Sequence, residues 1–145
     1  MSKKEPFLNN QAQIESISNE LTQQIDTLLE HNQNLKEFEG LLGSKEDTRS
    51  MRKEMKQEIG DANNLIKKTL ANFRSLDQLN LRKREEAEFR NKVARRAREA
   101  FDKEQQKFTK IVKDIQTKEK VYIDTKKSIA GNKDSFASDG GAQEQ

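Results

Sequence analysis

Few residues in this 145-residue chain have side chains that could form a catalytic or metal-binding site. There is one histidine, His31, and no cysteine, so the usual nitrogen and sulfur ligands of zinc are too few. The acidic residues are spread along polar stretches without a distinctive pair, and the glycines form no phosphate-binding loop. The sequence therefore predicts a protein that is not an enzyme and that binds no metal and no cofactor.

A second candidate for a functional site is the basic run from Arg82 to Arg98, which could bind nucleic acid. Within it, residues 91–98 resemble the basic region of leucine-zipper transcription factors. The likeness ends at Glu99, and no leucine follows Leu81, so no zipper is present. Acids interleaved with the cations would also repel phosphates. A solvated charged face is the preferred interpretation, and no nucleic-acid partner is predicted.

The spacing of apolar residues predicts the long helices that would have to position any site. In the first helix, from about residue 11 to residue 42, a core residue recurs every seven positions: Ile14, Leu21, Leu28, Leu35 and Leu42. His31 occupies an intermediate position of this heptad array, which is typical of coiled-coil packing. Gly43 suits the C-terminal cap, and Ser44 or Asp47 could cap the next helix.

Two further helices are predicted at about residues 47–76 and 81–127. Their apolar stripes follow an eleven-residue repeat, which is typical of nearly straight helices. The second-helix stripe consists of Met51, Met55, Ile59, Ala62, Ile66, Leu70 and Phe73. The third-helix stripe consists of Phe89, Val93, Ala97, Ala100, Glu104, Phe108, Ile111, Ile115 and Tyr122.

Short connections between such helices force antiparallel neighbours. The sequence thus predicts an all-α fold, an antiparallel three-helix bundle of long helices with left-handed, coiled-coil-like packing over residues 11–127. Residues 1–10 are predicted to form a flexible arm, and residues 128–145, rich in Gly, Ser and Asp, a disordered linker. We expect the following side chains to be buried: Ile14, Leu21, Leu28, Ile66, Phe73, Phe89, Phe108 and Ile111.

Charge is distributed unevenly between these helices. Residues 11–44 contain six acids and one lysine, whereas residues 79–128 contain sixteen cations and nine acids. An acidic first helix and a basic third helix favour packing in one bundle and oppose pairing of either helix with its own copy. A monomer is therefore expected.

The residues around the first turn resemble the N-terminal three-helix (Habc) domain of syntaxins. The similar residues there are Leu41-Leu42-Gly43-Ser44, Asp47-Thr48, Met51-Arg52 and Met55. The second-helix pattern looks like that of the endosomal and vacuolar branch: Ala62, Leu65-Ile66-Lys67, Thr69 and Leu76. Phe101, Phe108 and Glu119-Lys120 are similar to the third-helix spacing. The likeness covers roughly residues 11–123.

This resemblance implies the regulatory domain of a Q-type SNARE, a protein of vesicle trafficking and membrane fusion. Such a domain would bind its own SNARE helix, other SNAREs, or syntaxin-binding regulators and tethers. No second heptad array and no membrane span follow Ile129, so we expect an isolated, soluble domain without direct membrane insertion. The full-length protein would lie at the cytosolic face of endosomal, vacuolar or other endomembranes.

The resemblance also implies a site, because a helix can lie between the second and third helices of these domains. Such docking needs an exposed apolar strip. On a helical wheel, Leu65 and Leu76 fall off-centre on the second helix, as do Ala94, Phe101 and Val112 on the third. We expect these five to line a partly exposed protein-binding groove, although they could simply widen the core. An alternative function is a self-associating structural coiled coil that uses the first-helix heptads.

Overall fold

The computed structural model describes the backbone of residues 10–133 and the side chains of residues 10–121. This part of the chain forms three helices and no strand: α1 (Asn10–Leu41), α2 (Arg49–Asp77) and α3 (Arg84–Lys133). The predicted all-α three-helix bundle is confirmed. The third helix continues to Lys133, which corrects the predicted boundary at residue 127. It can do so because extending a helix that has already formed needs little packing. The rest of the predicted arm and linker lies outside the described residues.

The first helix contacts both of the others along its length, whereas α2 and α3 contact each other much less. Polar contacts show that α1 and α2 run antiparallel: Gln24 bonds to Asn72, and His31 lies beside Glu58. Equivalent contacts show that α1 and α3 run parallel: Asn10 bonds to Glu86, and Asn32 bonds to Glu104. The chain therefore runs up, down and up, with α1 covering one side of the α2–α3 pair.

The buried side chains of α2 and α3 follow a seven-residue spacing and not the predicted eleven-residue repeat. The buried series are Met55, Ala62, Thr69 and Leu76 in α2, and Phe101, Phe108 and Ile115 in α3. A seven-residue spacing is that of coiled-coil packing. In α3 the predicted stripe is wrong at one step, because Phe101 is buried and Ala100 is exposed. Burying an aromatic ring is worth far more than burying one methyl group.

Of the eight residues expected in the core, all but one are buried. The exception is Phe89, which is half-buried and packs against the edge of the core. It lies in the second turn of α3, near the point where Asn10 begins α1 and bonds to Glu86. Among the described residues, this is the end of the bundle at which α1 begins, so fewer neighbours cover the ring.

The connection between α1 and α2 depends on a glycine and on a different cap from those expected. Gly43 has φ +83°, in the left-handed region that glycine adopts at low cost, as its predicted capping role requires. The N-cap of α2 is Thr48, whose hydroxyl accepts a hydrogen bond from the Met51 amide at 3.1 Å. Neither predicted residue has this role, because the Asp47 carboxylate instead accepts from the Gly43 amide at 2.7 Å.

A polar layer interrupts the apolar core between α1 and α3. The Asn32 amide nitrogen donates to the Glu104 backbone oxygen at 2.9 Å and to its carboxylate Oε1 at 3.0 Å. Lys107 Nζ lies 3.4 Å from the other carboxylate oxygen. Both Asn32 and Glu104 are buried, and Asn32 Oδ1 has no hydrogen-bond partner among the described residues. The single charge in the third-helix stripe thus has a specific partner on α1.

Candidate protein-binding groove

Two of the three groove residues predicted on α3 lie on the side that faces α2. Ala94 and Val112 are half-buried. Ala94 lies one turn before Arg98 and Val112 two turns before Glu119, and both Arg98 and Glu119 form ion pairs with α2. Phe101 is different, because only 1% of it is exposed and its ring centroid lies 5.6 Å from that of Phe73. The expectation that Phe101 would be partly exposed is wrong; it is a core residue beneath the groove.

Neither residue predicted on α2 lines this groove. Leu76 is fully buried in the core. Leu65 is half-buried, but it lies seven residues after Glu58 and seven before Asn72, both of which contact α1. Residues seven apart share one helix face, so Leu65 faces α1. A helical wheel shows that a residue is off-centre, but it does not show which neighbouring helix lies on that side.

The apolar wall that α2 presents towards α3 is formed by Ile59 and Leu70, both half-buried. Arg52 of α2 reaches Glu119 of α3, with 3.6 Å between Nη1 and Oε2. Ile59 lies seven residues after Arg52, and Val112 lies seven residues before Glu119. In an antiparallel pair, Ile59 and Val112 therefore stand opposite each other across the groove.

A second ion pair aligns the other end of the groove, with a register that differs from the first by four residues, about one helical turn. Arg98 Nη2 of α3 lies 3.4 Å from Asp77 Oδ2 of α2. Leu70 lies seven residues before Asp77, and Gln105 lies seven residues after Arg98, so these two are also opposite. The groove between the two ion pairs thus has an apolar α2 wall and an α3 wall that is apolar at Val112 and polar at Gln105.

Each ion pair is anchored to further structure. Arg52 also forms a two-pronged contact with Asp47 in the α1–α2 connection, at 2.7 and 2.9 Å. The Arg98 guanidinium lies 4.6 Å from the centroid of the Phe73 ring, close enough for a cation–π contact. Arginine ion pairs therefore join α2 and α3 near both ends of the groove, and the two helices contact each other much less than either contacts α1.

Another arginine of the predicted basic run has a structural role that the sequence did not indicate. Arg90 Nη1 lies 3.2 Å from the carbonyl oxygens of Leu76 and Asp77, at the C-terminus of α2. The Leu76 oxygen also accepts from the Leu79 amide at 3.4 Å. A cation beside the last carbonyls of a helix interacts favourably with the helix dipole. Part of the basic run therefore stabilises the α2–α3 connection.

His31 lies at the α1–α2 seam, where its Nδ1 is 2.7 Å from Glu58 Oε2. The same carboxylate oxygen accepts from the Asn34 amide at 2.9 Å. Within residues 10–133 no three acidic or histidine side chains are grouped so that they could hold a metal ion. No helix in the described part of the chain combines the length and apolar content that crossing a bilayer requires.

Comparison with known families identifies the group of proteins to which this bundle is related. The profile of a family described as syntaxin-like protein matches residues 17–145, which include all of α2 and α3 and most of α1. No curated protein and no solved structure gives a significant match. The family is a non-enzymatic one. Because its profile spans nearly the whole sequence, the chain belongs to the syntaxin-like protein family.

Proposed function

We propose that this chain is the N-terminal regulatory domain of a syntaxin-like SNARE that acts in vesicle trafficking and membrane fusion. Its α2–α3 groove binds a helix, either the SNARE helix of the same protein or a helix of a trafficking regulator. The observation that carries this proposal is the asymmetry of the bundle: α2 and α3 contact each other much less than either contacts α1, which leaves a groove between them on the side away from α1.

The apolar residues on that second side support helix docking. Ile59, Leu70, Ala94 and Val112 keep part of their surface accessible although they border the core. A further helix laid between α2 and α3 would cover them and complete a four-helix arrangement. Helix-in-groove recognition uses an exposed apolar strip of this kind, which receives anchors at positions such as i, i+3, i+4 and i+7 of the bound helix.

The location and partners of the full-length protein follow from its resemblance to syntaxins. We propose that it lies at the cytosolic face of endosomal or vacuolar membranes, with other SNAREs, syntaxin-binding regulators or tethers as further partners. The α1 heptad residues are buried within the bundle, for example Leu21 and Leu28, so they are not available for pairing with a second copy. This burial supports a monomer.

Binding of a synthetic peptide with the heptad sequence of a Q-type SNARE helix would test the groove. Ile59→Ser and Val112→Ser should each weaken binding about tenfold, measured by fluorescence anisotropy, because each removes an apolar anchor. Leu29→Ser is the matched control, since Leu29 is 36% exposed on α1. The affinity of this control for the peptide should stay within about twofold of that of the wild type. Urea unfolding of each variant would show that the bundle remains folded.

Two results would contradict the proposal. One is equal loss of binding in the Leu29→Ser control and in the groove variants. The other is a stable, elongated dimer in sedimentation equilibrium, which would favour the self-associating structural coiled coil.

A further inference from the structure

We infer that the α2–α3 groove selects an acidic amphipathic helix, with apolar anchors over about three turns and Asp or Glu on both flanks. The inference rests on the proposed function and adds the chemistry of the partner. Its basis is the charge on the two rims of the groove.

The α2 rim is cationic between the two ion pairs. Lys56 lies one turn after Arg52, and Arg74 lies one turn before Asp77; Arg52 and Asp77 each form an ion pair with α3. Lys67 lies seven residues before Arg74 and thus on the same helix face. All three lysine and arginine side chains on this rim are exposed. They are spaced so that they would face one flank of a helix lying on Ile59 and Leu70.

The α3 rim is also mainly cationic. Arg95 lies one turn before Arg98, and Lys113 follows Val112 at the edge of a shallow depression on α3. The depression is lined by Asp102, Gln105, Gln106, Thr109, Lys110 and Lys113. Asp102 is the one acidic residue that lines this depression, and no ion pair joins it to another described residue. The rims therefore have a clear positive excess.

The rim cations have no counterions within the bundle. No ion pair joins any of the five to another described residue: Lys56, Lys67, Arg74, Arg95 and Lys113. The acids of α1 lie on the opposite side of the α2–α3 pair, and they would repel an acidic helix from the two grooves that border α1. Complementary charge therefore determines that the partner helix is acidic, and it also determines which groove that helix enters.

The length of the partner follows from the positions of the two ion pairs. Ile59 and Leu70 are three turns apart, or about 16 Å along α2. An occupant needs apolar residues at positions such as i, i+4, i+7 and i+11 to contact this strip. Beyond it, the Arg52–Glu119 and Arg98–Asp77 pairs cross between the helices and limit the apolar footprint.

Two synthetic helical peptides with one shared leucine face test the inference, one flanked by glutamates and the other by lysines. The wild-type chain should bind the glutamate peptide at least about tenfold more tightly at low ionic strength, and salt should reduce the difference. A rim variant should reverse this preference: Lys56→Glu, Lys67→Glu and Arg74→Glu together. A control with the same charge change, on exposed positions turned away from the groove, should retain it: Lys68→Glu, Lys92→Glu and Lys103→Glu together.

The possible failures can be told apart. If both peptides bind equally and Val112→Ser weakens both, the groove binds helices, and only the charge inference is overturned. If neither peptide nor a SNARE helix binds, the proposed function fails as well. Anionic phosphatidylserine vesicles form a third arm. If vesicles bind the chain, compete with the glutamate peptide, and are unaffected by Val112→Ser, the rims serve a lipid surface and the inference is wrong.

Discussion

Replacing Asn32 by leucine should destabilise the bundle, although it puts an apolar side chain into an apolar core. The substitution removes two hydrogen bonds to Glu104, of 2.9 and 3.0 Å. A hydrogen bond to a charged group contributes about 1.5–3 kcal/mol, and one to a neutral carbonyl about 1 kcal/mol. The Glu104 carboxylate would then be left buried with Lys107 as its remaining neighbour, at 3.4 Å.

The gain from leucine only partly offsets this loss. Asn32 Oδ1 is buried without a partner, and removing such a group recovers about 1–3 kcal/mol. The expected net effect of Asn32→Leu is therefore a loss of about 1–3 kcal/mol in the free energy of unfolding. Glu104→Met removes the bond at 3.0 Å but also removes the cost of burying a carboxylate, and Asn32 keeps its bond to the backbone oxygen of residue 104. The stability of this variant should therefore lie within about 1 kcal/mol of the wild type.

The double variant Asn32→Leu/Glu104→Met gives the decisive comparison. Replacing a whole buried polar pair by apolar residues of similar volume is often neutral or stabilising by about 1–4 kcal/mol. The double variant should therefore be more stable than the Asn32→Leu single variant and at least as stable as the wild type. Urea unfolding, followed by the helical circular dichroism signal, measures all four proteins.

Additive effects of the two substitutions on the free energy of unfolding would refute this reasoning. If the effects of the two single substitutions sum to that of the double variant within about 0.5 kcal/mol, Asn32 and Glu104 are not energetically coupled. The hydrogen bond between the Asn32 amide and the Glu104 carboxylate would then contribute nothing to stability.

Three more predictions concern backbone conformation and packing, and all use the same unfolding assay. Gly60→Ala should stabilise the bundle by about 0.5–1 kcal/mol, because the added methyl meets open space within α2. Gly43→Ala should destabilise it by about 1–2 kcal/mol, because φ +83° strains any residue with a Cβ. Phe101→Ala should lower the free energy of unfolding by about 3–5 kcal/mol and Leu28→Ala by about 2–5 kcal/mol, because each substitution truncates a buried side chain. A loss below about 1 kcal/mol at either site, or a reversed order of the two glycine variants, would contradict the packing described.

The heptad array of α1 was predictable because its physical basis is local. Side chains seven residues apart lie on one face of a helix, and a face of leucines and isoleucines has to be buried. Leu21, Leu28 and Leu35 are accordingly among the most buried residues. Gly43 was predictable for a similar reason, since a left-handed backbone after the last apolar residue of a helix favours glycine.

Which of two adjacent residues is buried, or caps a helix, could not be predicted from the local sequence. Ala100 and Phe101 both fit a helical stripe, and only packing against Phe73 puts Phe101 in the core. Asp47 is as good a helix cap as Thr48 by residue type. Its carboxylate is instead used by Gly43 and by Arg52, and Arg52 extends to a third helix that the local sequence does not specify.

The sequence by itself determined that three long helices form, which stripe of α1 is buried and where the first turn begins, because periodicity and backbone conformation are properties of neighbouring residues. Only the tertiary structure determined which residues form the walls of the groove. Both flanks of α2 carry leucine or isoleucine, so Leu65 on one and Ile59 with Leu70 on the other are equivalent on a helical wheel. The side on which α3 packs distinguishes them, because it turns Leu65 towards α1 and leaves Ile59 and Leu70 facing α3 across the groove.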